Sequence, residues 1–207
     1  MLTRPLFSSL IVSLFIVLLA GCASVAAPRV SEDASALRKG TYALDPAHAS
    51  VLFKIDHLGF STYVGRFERI DATLDFDSKN PERADVEAII DMTSLDIAND
   101  DFADTLMGPD WFDAGQFPQA RFVSREIAVT GDTTGVMTGD LTLKGETRPI
   151  RLAVTFNGGA RDLLRGAYVV GFSATGSFDR TDFGISKFSG LITDDVAIEI
   201  EAEFVRQ

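Results

Sequence analysis

The chain has few of the residue types that build reactive or metal-binding centres. Its 207 residues include one cysteine and two histidines. A single cysteine excludes an internal disulfide, and two histidines without further cysteines argue against a zinc or haem site. The sequence also contains no phosphate-binding loop and no dinucleotide fingerprint. We therefore expect neither a cofactor nor a metal.

Positive charge is also scarce. The chain has 19 Lys and Arg against 30 Asp and Glu, which gives a formal net charge of −11 at pH 7. An acidic surface repels the phosphate backbone of nucleic acids and the anionic headgroups of membranes. This charge balance argues against a nucleic-acid partner and against electrostatic docking on a membrane.

One long apolar run lies at the start of the chain. Arg4 precedes residues 6–20, which are apolar apart from three serines. The run is shorter than the roughly 20 residues that a transmembrane helix needs, and small residues follow it. This layout is typical of a secretory signal peptide, and we expect the signal to cover residues 1–21.

The end of the signal resembles a bacterial lipobox, because Leu19, Ala20 and Gly21 directly precede Cys22. The resemblance implies that Cys22 carries a lipid anchor, and two or more acyl chains hold a protein firmly on a membrane. In similar bacterial lipoproteins an aspartate after the cysteine tends to retain the protein at the inner membrane, and this similarity implies that Ala23 permits transfer to the outer membrane. We therefore expect a periplasm-facing protein of the bacterial envelope, with residues 22–40 as a flexible tether.

From residue 41 to the end, apolar and polar residues alternate with a period of two. Val196, Ile198 and Ile200, for example, alternate with Asp195, Ala197 and Glu199. Such strands have one dry and one wet face. Seven or more of them joined by short turns indicate an antiparallel sandwich or barrel. We favour an all-β barrel over residues 41–207, because closure leaves no exposed edge strand.

Residues 93–118 interrupt this rhythm. Phe102 and Leu106 are four residues apart beside several aspartates, a spacing that predicts a short helix. The segment also carries the only tryptophan, Trp111. We expect it to cap one end of the barrel, either as a lid over a cavity or as a helix packed on a solid core.

From residue 41 to residue 206 the chain resembles the YceI family of polyisoprenoid-binding, lipocalin-like barrels. The resemblance implies an eight-stranded antiparallel barrel, without metal or catalytic residues, whose apolar interior holds an isoprenoid or another long-chain amphiphile. Six short motifs in order carry it: Asp45-Pro46-Ala47-His48, Gly65-x-Phe67, Ser94-Leu95-Asp96, Asp110-Trp111-Phe112-Asp113, Gly139-x-Leu141-Thr142-Leu143-Lys144-Gly145 and Arg180-x-Asp182-Phe183-Gly184.

The sequence departs from many members of this family within the insertion. Those members carry basic residues there, whereas residues 99–106 of this chain include three aspartates and no basic residue. If the basic groups meet a pyrophosphate head in relatives, a neutral head such as a quinone or an amide suits this chain better.

The expected ligand contacts are apolar side chains on the inner faces of the strands and in the insertion. We expect His48 either to stabilise the turn after Pro46 or to contact a ligand head. The predicted lining and lid comprise Phe53, Ile55, Ile70, Leu74, Phe102, Leu106, Trp111, Phe112, Leu141, Leu152, Val154, Phe172, Phe178 and Ile198.

Two function hypotheses remain open. The first is non-catalytic binding, transport or sequestration of an amphiphilic lipid such as an isoprenoid, polyprenol or quinone. The alternative is a solid-cored envelope lipoprotein that acts as a protein-interaction or stress-response module, and a homodimer is compatible with either. An enzyme is disfavoured, because Asp45, His48 and Ser50 are too close in sequence at a strand entrance to converge as a triad. Arg180 and Asp182, beside Phe183 and Gly184, indicate a structural ion pair or a turn.

Overall fold

The computed structural model describes residues 29–207, so the predicted signal peptide and Cys22 lie outside the described residues. More than half of this part is β-strand, and it contains one α-helix, α1 (Asp100–Met107). The strands are β1 (Gly40–His57), β2 (Ser61–Phe67), β3 (Ile70–Phe76), β4 (Asp85–Asp91), β5 (Leu95–Asp96), β6 (Gln119–Val129), β7 (Thr134–Leu143), β8 (Glu146–Asp162), β9 (Ala167–Asp179) and β10 (Asp195–Arg206).

The strands form a closed barrel because β1 pairs with β10, the last strand of the sheet. The first half of β1 pairs with β3 and its second half with β2, so β2 and β3 are two parts of one interrupted strand. In the same way, β4 pairs with β3 and β5 pairs with β2. Counted in this way, the barrel has eight antiparallel strands, which confirms the predicted fold class.

The interruption between β2 and β3 has a visible cause in the sequence. Phe67 and Ile70 both line the interior although they are three residues apart, a spacing that a period of two does not permit. Glu68 and Arg69 lie between them, outside both strands. These two residues shift the alternation of inward and outward side chains by one position, so that Phe67 and Ile70 can both point inward. A second irregularity lies in β6 between Ser124 and Glu126.

The inner faces of the strands form two buried apolar clusters, one towards each end of the barrel. We call the end covered by residues 97–118 the insertion end; its cluster includes Phe53 and Trp111. We call the other the N-terminal end; its cluster includes Tyr42 and Phe204.

Helix α1 lies in the insertion, where the spacing of Phe102 and Leu106 predicts it. The Asn99 side chain accepts a hydrogen bond from the backbone N–H of Phe102 and caps the helix. Asp100 and Asp101 occupy the first turn, where the helix dipole favours negative charge. Leu106 is 6% exposed and fixes the helix against the barrel.

The predicted tether needs a correction on its C-terminal side. Ser31 pairs with Gly159 through two backbone hydrogen bonds of 3.0 and 2.9 Å. A 3-10 turn, Ala34–Ala36, follows, and Leu37 is buried in the cluster at the N-terminal end. The chain from Ser31 onward is therefore part of the barrel domain, because Leu37 provides an apolar anchor that the polar character of this segment obscures. Within residues 29–207, none of the helices has the length and apolar character needed to cross a membrane.

Candidate ligand-binding site

The barrel encloses a cavity with a volume of about 450 Å³. Its lining is almost entirely apolar and extends from Trp111 at the insertion end to Leu37 and Phe76 at the N-terminal end. A buried water needs only about 10–15 Å³ of such space, and small-molecule sites have volumes of about 300–1,000 Å³. The inward side chains therefore do not fill the barrel, and the interior has room for a ligand.

All fourteen apolar residues that we expect to contact a ligand line this cavity. Their contact with a ligand stays a prediction. The space beside them comes from small inward residues, because Ala72, Ala88, Ala174 and Ala202 also line the cavity. Gly139 does not contribute in this way, since a Cβ atom at this position would lie 2.3 Å from the Phe122 ring.

The insertion closes one end of the cavity with aromatic side chains. The Phe112 ring meets the rings of Phe53 and Phe67 nearly edge-on, with centroid distances of 6.3 and 5.9 Å. Trp111 is 7% exposed and lines the cavity, as does Leu106 of α1. These contacts make the insertion a cap over a hollow interior.

Arg180 is a buried cation beside this cavity, and its environment was not predicted. It is 2% exposed and lines the cavity near Trp111, whose ring centroid lies 5.9 Å from the guanidinium carbon. Burial of an uncompensated charge is costly. The sequence motif suggests Asp182 as its partner, but the ion pair joins Arg180 Nη2 to Asp194 Oδ1 at 2.6 Å.

The remaining donors of Arg180 hold the segment that follows β9. Nη1 donates to the carbonyl oxygens of Ile185 and Lys187 at 2.8 and 2.9 Å, and Nε donates to that of Thr193 at 3.2 Å. Arg180 thereby fastens residues 184–194 across the insertion end. Asp194 compensates the charge of Arg180. The hydrogen bonds of Arg180 help to close the barrel at the insertion end.

His48 lies away from the cavity lining, on the bulge of β1. Its Nδ1 atom is 2.9 Å from Asp45 Oδ2, and its Nε2 atom is 3.4 Å from Nη2 of Arg165. Arg165 also donates to Asp45 and Glu203 at 3.0 and 2.9 Å. These contacts agree with the expected role of His48 in stabilising the turn, and its contact with a ligand head stays a prediction.

The same cluster could in principle bind a metal ion, since ligand atoms of Asp45, His48 and Glu203 lie within 4.8 Å of one another. Arg165, however, already bridges the two carboxylates. A bound cation would have to displace this guanidinium, and the arrangement is explained by the ion pairs alone.

The pH dependence of this cluster follows from Asp45. Burial opposes its ionisation, but hydrogen bonds from His48 and from the backbone N–H of Ala47 lower its pKa below the ordinary value of 3.8. A carboxylate with a lowered pKa stabilises the fold above its unfolded pKa, and this stabilisation is lost as the pH falls through its folded pKa.

We therefore expect Asp45→Asn to reduce the free energy of unfolding by about 0.5–1 kcal/mol at pH 7. The deficit should shrink when the pH falls below about 4, the ordinary range of an aspartate pKa. Thermal unfolding at several pH values measures it, with the exposed Asp71→Asn as the control. A deficit that is equally large at pH 7 and pH 2.5 contradicts the assignment.

Residues 42–204 match the family model of the YceI-like domain. The chain belongs to the YceI family. It is 37% identical over 160 residues to a "UPF0312 protein" of Pseudomonas savastanoi pv. phaseolicola, an alignment that covers 77% of this chain and 82% of that protein.

Several solved structures have the same fold as this chain. BcnA of Burkholderia cenocepacia has a TM-score of 0.70 and 26% identity, over 77% of this chain and 98% of that one. The Campylobacter jejuni YCEI protein has a TM-score of 0.67 and 29% identity, over 74% and 91%. A polyisoprenoid binding domain from Saccharophagus degradans has a TM-score of 0.60 over 82% and 100%, and its 11% identity shows likeness of fold alone.

Proposed function

We propose that this protein binds a long-chain amphiphilic lipid without catalysis and sequesters or carries it in the bacterial periplasm. The observation that carries this proposal is the cavity of about 450 Å³ with its almost entirely apolar lining. Each Å² of apolar surface moved from water into such a site contributes roughly 25 cal/mol. A hydrocarbon chain therefore binds by burial and shape, and no covalent step is needed.

The alternative of a solid-cored interaction module is less well supported, because the inward side chains leave this volume unfilled. Small residues such as Ala88 and Ala174 occupy positions where larger side chains would close it. The name of the Saccharophagus degradans domain refers to polyisoprenoid binding, and we extend that type of ligand to this chain as part of the proposal.

Titration of the purified protein with a polyprenol tests this function directly. Trp111 is the only tryptophan and lines the cavity, so its fluorescence should shift and saturate when a chain enters. A protein that leaves Trp111 fluorescence unchanged, and that retains no radiolabelled polyprenol on gel filtration, has no such function.

We further propose that the protein is anchored through Cys22 and faces the periplasm from the outer membrane. Cys22→Ala should abolish incorporation of labelled palmitate, because the acylated sulfur is lost. Ala23→Asp is the matched control, since it keeps the label and should move the protein from the outer to the inner membrane fraction. Palmitate labelling that persists in Cys22→Ala contradicts the anchor.

A further inference from the structure

The barrel wall is not hydrogen-bonded along its full height. Residues 87–91 of β4 pair with residues 119–123 of β6, but β6 continues to Val129. Beyond Val123 the strand bulges, and the backbone N–H of Val86 donates to the Ser124 hydroxyl at 2.8 Å instead of to a carbonyl of β6. From Glu126 to Val129, β6 pairs with β7, and the pairing with β4 has ended. The hydrogen-bonded ladder between β4 and β6 therefore ends at Glu87 and Val123, and towards the N-terminal end the 3-10 turn Pro81–Arg83 lies beside β6 without strand pairing. We call this unpaired stretch of the wall the gap.

The cavity reaches this gap. Pro81 and Val86 line it on the β4 side, and Ile127 and Val129 line it on the β6 side. Val129 is also 53% exposed, so its side chain contacts both the cavity and the solvent. At the insertion end, by contrast, Trp111 and Leu106 are only 7% and 6% exposed. Phe102, which also lines the cavity at that end, is 37% exposed, so the gap has the more exposed apolar lining residue, and we take it as the route into the interior.

Three consecutive polar residues of the lining lie beside the gap. The turn between β6 and β7 contributes Asp132, Thr133 and Thr134. Thr134 Oγ1 accepts a hydrogen bond from the Thr130 hydroxyl at 3.1 Å and keeps its own hydroxyl proton for a further acceptor. Hydroxyls beside an apolar cavity fit the head of an amphiphile whose tail lies inside.

The charges of the cavity lining disfavour an anionic head. Its ionisable lining residues are His57, Tyr63, Asp132, Arg180 and Glu201. Arg180 lies at the opposite end and is paired with Asp194, while the Glu201 carboxylate accepts a hydrogen bond from the Ser173 hydroxyl at 2.6 Å. At the gap itself the ionisable lining side chain is an acid, Asp132, which repels a phosphate.

We propose that a neutral-headed amphiphile enters tail-first through this gap, that its tail extends towards Trp111 and that its head rests on the turn formed by residues 131–134. This inference rests on the proposed lipid-binding function and adds the entry route, the orientation and the class of head. It also places the entrance at the end crossed by the N-terminal segment, where Ala34 lines the cavity.

Photo-crosslinking of the purified protein tests the orientation. Two polyprenol analogues carry a diazirine, one beside the hydroxyl and one at the far end of the chain. The head probe should label peptides that contain residues 81–86 or 127–134, and the tail probe should label residues 102–112. Reversed labelling, or labelling of both ends by both probes, overturns the orientation. Labelling by neither probe contradicts the proposed function itself.

The head class is tested by comparing polyprenol with polyprenyl phosphate of the same length. A nearby like charge should weaken binding of the phosphate about tenfold, and Asp132→Asn should narrow this difference while the exposed Asp71→Asn should not. Equal affinities of the wild-type protein for the two lipids overturn the neutral-head inference and leave lipid binding intact.

The entry route is tested by kinetics with a fluorescent polyprenol. Val129→Trp should slow its association severalfold by narrowing the gap, whereas Val64→Trp, a change on β2, should leave the rate unaltered. Val64 is a matched control because it is also an exposed valine, 45% exposed against 53% for Val129, and is not among the residues that line the cavity. An association rate of Val129→Trp equal to that of the wild-type protein overturns the route.

Discussion

Replacing Ala174 by phenylalanine is expected to weaken polyprenol binding by at least about tenfold. Ala174 lies in the middle of β9 and pairs with Val154 and Ile200 on the neighbouring strands, and all three residues line the cavity. A phenyl ring at this position occupies space that the tail needs, and each displaced methylene of the ligand costs about 0.8 kcal/mol of burial. Two such groups already exceed the 1.4 kcal/mol that corresponds to a factor of ten.

Thr175→Phe is the matched control for this prediction. Thr175 is the next residue of β9 and is exposed, so the same ring is added to the outer face of the barrel. It should leave the affinity unchanged, and both variants should unfold cooperatively in thermal scans. Ala174→Phe binding as tightly as the wild-type protein would show that the ligand does not use this cavity.

Replacing Arg180 by methionine is expected to lower the free energy of unfolding by about 3–5 kcal/mol, the usual loss when one partner of a buried ion pair is removed. The variant leaves Asp194 without its ion-pair partner. It also removes the hydrogen-bond donor from the carbonyl oxygens of Ile185, Lys187 and Thr193. For a chain of this size the change corresponds to a fall in Tm of roughly 6–20 °C.

Two further variants separate this effect from a general loss of charge. Adding Asp194→Asn to Arg180→Met should recover part of the stability, because the unpaired carboxylate is removed. Arg121→Met removes an exposed ion pair with Glu87, and it should cost at most about 1 kcal/mol. A Tm that is unchanged in Arg180→Met would mean that residues 184–194 are held by other contacts.

The strands could be predicted from the sequence because burial alternates residue by residue. In β3, Ala72, Leu74 and Phe76 are buried while Asp71 and Thr73 are exposed, as a one-sided strand requires. The closure of the barrel depends on pairing between β1 and β10, about 150 residues apart, and periodicity does not encode such a partner. The preference for a barrel therefore rested on the argument that closure leaves no exposed edge strand, and the number of strands rested on the family resemblance.

The cavity itself was only partly predictable. Inward residues have the same apolar character in a filled and in a hollow barrel, and the difference lies in the volume that they occupy. Ala72 and Ala88 leave space, but Gly139 does not, because the Phe122 ring packs over it. Which small residue opens the interior depends on its cross-strand neighbours, and a single sequence does not specify their rotamers.

The ion-pair and hydrogen-bond partners of the polar residues were the least predictable features, since these partners are distant in sequence. The sequence indicated Asp45 beside His48, but the group that joins them to Glu203 is Arg165. Likewise Arg180 has a neighbouring aspartate in its motif, yet it pairs with Asp194 after the chain turns back. Local spacing indicates that such residues form ion pairs or hydrogen bonds, but it does not identify their partners.

The most direct test of the central claim is to measure what the barrel holds when it is isolated. Purified wild-type protein and Ala174→Phe are extracted with organic solvent, and the lipids are quantified by mass spectrometry against protein. The account predicts a long-chain, neutral-headed lipid at near-equimolar amounts in the wild-type protein and a strongly reduced amount in the variant. Wild-type protein that contains no lipid, and that takes up no added polyprenol, would contradict it.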